Sequence, residues 1–326
     1  MAYRFKLKED LRGGVRRIAV EQIEKLLVMP RKGDDRVLWV HEARKTMKRT
    51  RALLRCVRLG LEDRVFREEN ATLAGIARDL SGLRDRDVMT GTMDRLRGQD
   101  STLDEALSWL TAQLQVAADG KAGTAPSARS SDAIVRRAVK ALQKAAERLA
   151  TIEIAGKFTD VVGAGLRNGQ RAGRKALARL AVQATDEHVH DLRKAVQTYQ
   201  RQQTLVHALW PDLQSVRVEA ARSLAQLLGE AQDLAVLATT ARTLAEASDN
   251  GHGERVAAAC RERQEMIREV AMPLASRLFA AKPQAAEQEL QAGWRAAVSL
   301  SAAHSPIPDA PEPAAPRKRS ARAAAE

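Results

Sequence analysis

The chain has 326 residues, 44% of them hydrophobic but only 3% aromatic, and a formal net charge of +13. It is long enough for one large core or two smaller ones. Its wealth of Ala, Leu, Arg, Lys, Glu and Gln favours helices and excludes a strand-rich fold. The charge surplus points to a polyanionic partner (nucleic acid, an anionic membrane face or a polyphosphate), and no apolar stretch reaches the roughly 18 residues of a spanning helix.

The opening Met1-Ala2-Tyr3-Arg4-Phe5-Lys6 lacks the apolar run of a secretory signal, so a cytoplasmic location is expected. Leu11, Val15, Ile18, Ile23 and Leu26 form an apolar stripe that stops before Pro30. Asp34 or Asp35 can cap a second helix, predicted from Arg36 to Leu59. A third is predicted from Glu62 to Leu80, and Asp85 opens a fourth. Ser101, with Asp104 and Glu105 behind it, caps a segment that ends at Gly120.

Residues 119–131 are rich in small residues, Gly and Ser, and read as a linker between an N-terminal repeat (1–118) and a C-terminal one (132–303). Helical pattern resumes at Ser131-Asp132 and runs through Leu149, then from Thr159 to Val182. Thr185 caps the next helix, which ends before Pro211, and three or four more follow, the last closing near Ser301. Residues 304–326 hold five prolines and a run of Ala and Arg, the composition of a disordered tail. Cys56 and Cys260 each sit in a helical pattern and are expected to be free thiols of a reducing compartment.

A cassette occurs twice. Val40-His41-Glu42-Ala43-Arg44-Lys45 returns as Val189-His190-Asp191-Leu192-Arg193-Lys194. Each is followed by a second one, Ser81-Gly82-Leu83-Arg84-Asp85 after the first and Gly229-Glu230-Ala231-Gln232-Asp233 after the other. His41 precedes Asp85 by 44 positions and His190 precedes Asp233 by 43. A duplicated His–Arg–Lys set on helices points to a two-fold site for an anion. The predicted architecture is all-α, with two pseudo-two-fold-related helical bundles around a central basic groove or channel.

Helical projection sharpens the first copy. At 100° per residue from His41, the arc from about 300° through zero to about 80° collects Arg44, Arg55, Lys48, Lys45 and Arg49, while Trp39, Met47, Leu53 and Leu54 lie opposite. From Arg36 to Arg58 there are eight Arg or Lys residues, Arg51 among them, and one acid, Glu42. Like charges at i,i+4 are mildly destabilising, so such a face needs an external counter-charge or the acids of a neighbouring helix. Arg167, Arg171, Arg174, Lys175 and Arg179 form a second acid-free run, and Arg136, Arg137, Lys140, Lys144 and Arg148 a third stripe softened by Asp132 and Glu147. The second cassette helix retains His190, Arg193, Lys194 and Arg201 but has Gln197 and Thr204 where the first has Lys48 and Arg55. The first half-site is therefore expected to bind more strongly, with the second leaning on the 167–179 helix.

Other chemistries fit less well. His188 and His190 point about 160° apart on a helix and cannot chelate one ion, and no Cys or His set completes a metal site. No metal or other cofactor is expected. Asp85 and Asp233 could act as acids, but more readily cap helices or orient the cassette His or Arg from behind. Phosphate-loop, nucleophile-elbow and Mg²⁺-binding carboxylate patterns are lacking, which argues for a binder rather than an enzyme. Nucleic acid is the main rival: base readers need aromatic platforms, which these helices lack, but a duplex could be gripped through its phosphates alone.

The two cassettes, Phe5-x-Leu7 with Gly14-Val15-Arg16-Arg17-Ile18-Ala19, and Arg167-x-x-x-Arg171-x-x-Arg174-Lys175-Ala176-Leu177 together resemble the CHAD family of histidine-containing α-helical domains over roughly residues 5–300. The resemblance implies two four-helix bundles around a basic cavity that binds inorganic polyphosphate, often at polyphosphate granules and sometimes beside triphosphatase domains. It carries over His41, Arg44, Lys45, Lys48 and Arg55, then Arg171, Arg174 and Lys175, then His190, Arg193 and Lys194. Arg49, Arg51, Arg137, Lys140 and Arg201 complete the candidate set. The chain departs from the family pattern at Gln170, where an aromatic is common, at Gln197 and Thr198, and at Ser81 in place of glycine. It lacks the Glu-x-Glu-x-Lys signature of the triphosphatases. The expected function is non-enzymatic polyphosphate binding, with a general polyanion or nucleic-acid binder, or an accessory to a phosphate-processing enzyme, as alternatives.

Overall fold

The computed structural model describes residues 3–31, 35–80, 85–98, 100–120, 128–246 and 251–303, with side chains throughout except at 85–88, 118–120, 128–130 and 303. The expected 304–326 tail and the centre of the 119–131 linker lie outside these residues. Among the described residues the fold is all-α, with eleven helices and no strand. They are α1 (Leu11–Leu27), α2 (Asp35–Cys56), α3 (Asp63–Asp79), α4 (Asp85–Arg97), α5 (Asp104–Gly120), α6 (Ala128–Ala150), α7 (Phe158–Val182), α8 (Asp186–Leu205), α9 (Pro211–Ala245), α10 (His252–Leu278) and α11 (Pro283–Ala303).

Local signals account for most boundaries. Asp10 caps α1 by accepting from the Gly13 amide at 2.9 Å, and Thr185 caps α8 by accepting from that of His188. The buried Trp39 indole donates to the Leu26 carbonyl at 3.0 Å, satisfying the end of α1 from inside α2. Three expectations shift. α2 ends at Cys56, and Arg58–Gly60 form a 3₁₀ turn rather than its last turn. Asp100, not Ser101, caps the turn before α5, accepting from the Thr102 amide at 2.9 Å. Residues 128–131, expected in the linker, belong to α6.

Packing crosses the expected repeat boundary. α1, α2, α3 and α6 share one core through Ile18, Ile23, Met47, Leu54, Leu73, Leu142 and Leu149. α4 and α5 leave that core and pack on α9 and α10, where Leu96, Leu107 and Leu110 meet Leu237, Val256 and Cys260. Chain order cannot reveal such an excursion, because an apolar helical stripe does not name its partner. Both cysteines are free and buried, and burial raises each thiol to about 12, so neither is poised to react.

α7 joins the parts by touching α2, α8 and α11. Its Gly165, Gly169 and Gly173 fall on one face at i, i+4, i+8. A β-carbon on Gly165 would overlap the backbone carbonyl of Cys56 at the end of α2, and one on Gly169 would overlap the Gln202 amide of α8. The Gln202 amide donates instead to the Gly165 carbonyl at 2.9 Å. These contacts press α2 and α8 onto one strip of α7 and thereby set them beside each other. Gly165→Ala should destabilise the protein by about 1–2 kcal/mol in urea unfolding, although alanine is intrinsically the better helix former. Gly75→Ala, where nothing stands within 4 Å of the new methyl, should instead stabilise it. Equal responses at the two sites would contradict the close-approach assignment.

Candidate functional site: a cationic groove between two helices

α2 and α8 enclose a cavity of about 300 Å³ lined by Lys48, Arg51, Ala52 and Arg55 from one side and His190, Arg193, Lys194, Gln197, Thr198 and Arg201 from the other. The spacing explains the lining. Lys48, Arg51 and Arg55 recur at i, i+3, i+7 on α2, while His190, Lys194, Gln197 and Arg201 recur at i, i+4, i+7, i+11 on α8. Among the described residues, six Arg or Lys side chains and a histidine line it and no carboxylate does.

Several of these cations are held from behind. The Arg51 Nε donates to Asn70 Oδ1 of α3 at 3.0 Å, and an Arg201 terminal nitrogen donates to the Gln197 carbonyl at 2.8 Å. Gly229 of α9 makes room for Arg193, since a β-carbon there would already lie 3.2 Å from its guanidinium. This contact joins the second cassette's two halves in space and gives a reason for their spacing. The Nε of Arg193 is buried without a hydrogen-bond partner among the described residues, a donor awaiting an acceptor.

The electrostatics match. Burial, followed by the charges of Arg55 and Arg78, lowers the proton affinity of Arg51. Burial alone lowers that of Arg55. For Arg201 burial again dominates; Tyr3 opposes it, and Arg49 and Arg55 add to it. His190 is likewise held below the usual imidazole value, by burial first and then by Lys194 and Arg193, against the smaller opposing effects of Asp191 and Gln232. Every one of these groups would gain from an anion. Arg78, in the last turn of α3, is a contributor that helical projection of α2 and α8 could not reveal.

The rest of the candidate set divides. His41, Arg44, Lys45 and Arg49 continue the face toward the start of α2 without lining the cavity. There Glu42 offsets part of the charge, pairing with Lys45 at 2.8 Å and standing 3.9 Å from His41. Arg49 points a guanidinium nitrogen to Gln22 at 3.4 Å. Arg137 and Lys140 are exposed on α6, which packs against α1 and α3. On α7 the glycine strip takes the side facing α2 and α8, so Arg167, Arg171, Arg174 and Lys175 lie a third to a half turn away, while Arg179 stands 3.9 Å from Asp191 of α8. Arg174 donates to the Phe279 and Ala280 carbonyls, each at 2.8 Å, and closes the end of α10. Arg171 bonds Asn168 at 2.9 Å, Arg167 pairs with Glu287 of α11 at 2.8 Å, and Lys175 is exposed.

The two sides of the cavity are equal in cations: α8 supplies as many Arg and Lys residues as α2 and adds the histidine. No residue of α7 lines the cavity, although Arg179 of α7 stands 3.9 Å from Asp191 of α8. Asp233 stands in the middle of α9 and caps nothing, with Arg95 of α4 at 3.9 Å. Asp85 opens α4, its side chain outside the described set, as is the Ser81–Arg84 portion of its cassette. Because cations outnumber acids among the described groove residues, Arg55→Gln should raise stability in urea by a few tenths of a kcal/mol at low ionic strength, and the gain should shrink as salt is added. A loss of stability at low salt would show that Arg55 is held by attractions instead.

Residues 17–242 match the family model described as the CHAD domain. No curated protein matches the chain. The crystal structure of the CHAD domain from the plant Ricinus communis superposes with a TM-score of 0.57 at 16% identity, covering 86% of this chain and 95% of that one. PptA from Streptomyces chartreusis gives 0.54 at 16% identity, covering 87% and 98%. At such identity the likeness speaks for the fold, whereas the family match spans well over half the sequence. The chain belongs to the CHAD domain family.

Proposed function

We propose that this protein binds inorganic polyphosphate, without chemical turnover, in the groove between α2 and α8, and that it does so at polyphosphate granules. The observation that carries the reading is the convergence of Lys48, Arg51, Arg55, Arg193, Lys194 and Arg201 with His190 in one cavity, whose described lining residues include no acid. The arginines offer forked hydrogen bonds to non-bridging oxygens and the lysines mobile point charges. From His190 to Arg201 the cationic wall of α8 spans roughly 16 Å, so several consecutive phosphates fit along it. A longer chain can continue toward His41, Arg44 and Lys45, and affinity should grow with length until that face is filled.

The test is binding of fluorescent long-chain polyphosphate to the full chain, with duplex DNA of equal charge as competitor. Lys48→Glu with Arg55→Glu should weaken binding by roughly a hundredfold while the helical circular-dichroism spectrum is unchanged. Wild-type affinity should fall steeply with salt. Undiminished binding by the double variant would remove the groove from the reading. Efficient displacement by DNA would make the protein a general polyanion binder, and orthophosphate release with Mg²⁺ would make it an enzyme.

His190 gives a pH signature. Its folded pKa lies below the unfolded value of about 6.5, so the unfolded chain binds more protons in that window. Apo stability should therefore decline as pH falls through about 6.5 and level off below the folded value. A bound polyanion favours the imidazolium, so affinity should rise over the same descent, with proton uptake visible by calorimetry in buffers of different ionisation enthalpy. His190→Gln should flatten both trends; unchanged trends in that variant would assign them to another group.

A further inference from the structure

A second cavity, of about 280 Å³, lies behind α8 and is walled by α7, α8, α9, α11 and the end of α10. Helix geometry separates it from the groove. Tyr199, Gln203 and Val206 line this cavity, whereas Lys194, Gln197 and Arg201 line the groove about half a turn around the same helix.

Its chemistry also differs. Gln170, Gln203 and Gln214 come to it from three different helices, beside Tyr199, and none is more than 8% exposed. Gln170 is one of the positions where this chain departs from the family pattern; its amide nitrogen donates to the Ala281 carbonyl at 3.0 Å. Gln214 is fully buried, and neither its amide oxygen nor its nitrogen has a hydrogen-bond partner among the described residues. Buried side-chain amides are rarely left unmatched on both atoms, because each forfeits its water without return. Arg217 also lines the cavity, but Glu289 holds it with two bonds at 2.6 and 3.1 Å, which cancels its charge. Arg277 is exposed and adds a cation at the edge. The buried groups are neutral donors and acceptors on a floor of Leu166, Leu209 and Leu290.

We propose that this cavity is a binding site for a small uncharged polyol of sugar size. A hydroxyl both donates and accepts, which is what the Gln214 amide needs, and neighbouring hydroxyls would reach Gln203 and Tyr199. At roughly 30 Å³ per water the space exceeds what a single solvent molecule fills. The site is independent of polyphosphate binding, since no residue lines both cavities.

The test uses the full chain with myo-inositol, glucose and glycerol as probes, and inorganic phosphate and acetate as anionic controls, read by saturation-transfer NMR and thermal shift. At least one polyol should bind saturably to the wild type and equally to the Lys48→Glu/Arg55→Glu variant. Gln214→Leu, shown folded by circular dichroism, should weaken it by about tenfold or more. If Gln214→Leu does not fold, Gln203→Leu carries the same expectation. Failure of every polyol to saturate, with Gln214→Leu merely stabilising the protein, would make this a water-filled cavity and overturn the proposal. Binding of the anionic controls alone, or polyol binding untouched in both leucine variants, would overturn it as well.

Discussion

Gly165 has no room for a side chain, and much of the molecule follows from that. Its bare backbone lets the end of α2 rest on α7, and one turn later Gly169 admits Gln202 of α8. Two helices that repel each other electrostatically are thereby fixed side by side through contacts made on their other faces. The apolar arc of α2, with Trp39, Met47, Leu53 and Leu54 fully buried, supplies the free energy that holds the cations in place.

The groove is thus an electrostatic debt carried by packing. No carboxylate is among its described lining residues, and burial disfavours the protonated forms of Arg51, Arg55 and Arg201, with neighbouring charge adding to it at Arg51 and Arg201. Several arginines elsewhere in the fold are answered locally, Arg148 by Glu69, Arg167 by Glu287 and Arg217 by Glu289, and within the groove Lys194 is paired with Asp191 at 3.2 Å. That contrast separates structural arginines from those available to a ligand more cleanly than their numbers along the chain do. It also gives the net charge of +13 a place rather than only a sign.

α8 is the element on which both cavities depend. One of its faces presents His190, Lys194 and Arg201, and the opposite one Tyr199 and Gln203, while Leu192 and Val196 anchor it to α9. A helix with two polar faces is seldom stable in isolation. It persists here because α7, α9 and α2 surround it.

Periodicity and composition alone determined the all-α class, most helix ends and the cationic face of α2, since these depend on residues close in the chain. The duplicated cassettes also marked α2 and α8 as partners before any contact was known. Only the tertiary structure decided which cations share a cavity. It kept Lys48, Arg51 and Arg55, left His41 and Arg44 upstream, and turned Arg171 and Arg174 away because the glycines claim the inner side of α7. It also sent α4 and α5 to α9 and α10, and gave Gln214 a buried place without a partner among the described residues. The physical reason is the same in each case: a helical stripe encodes what a face is made of, while the face it meets is set by close-packing among segments distant in sequence.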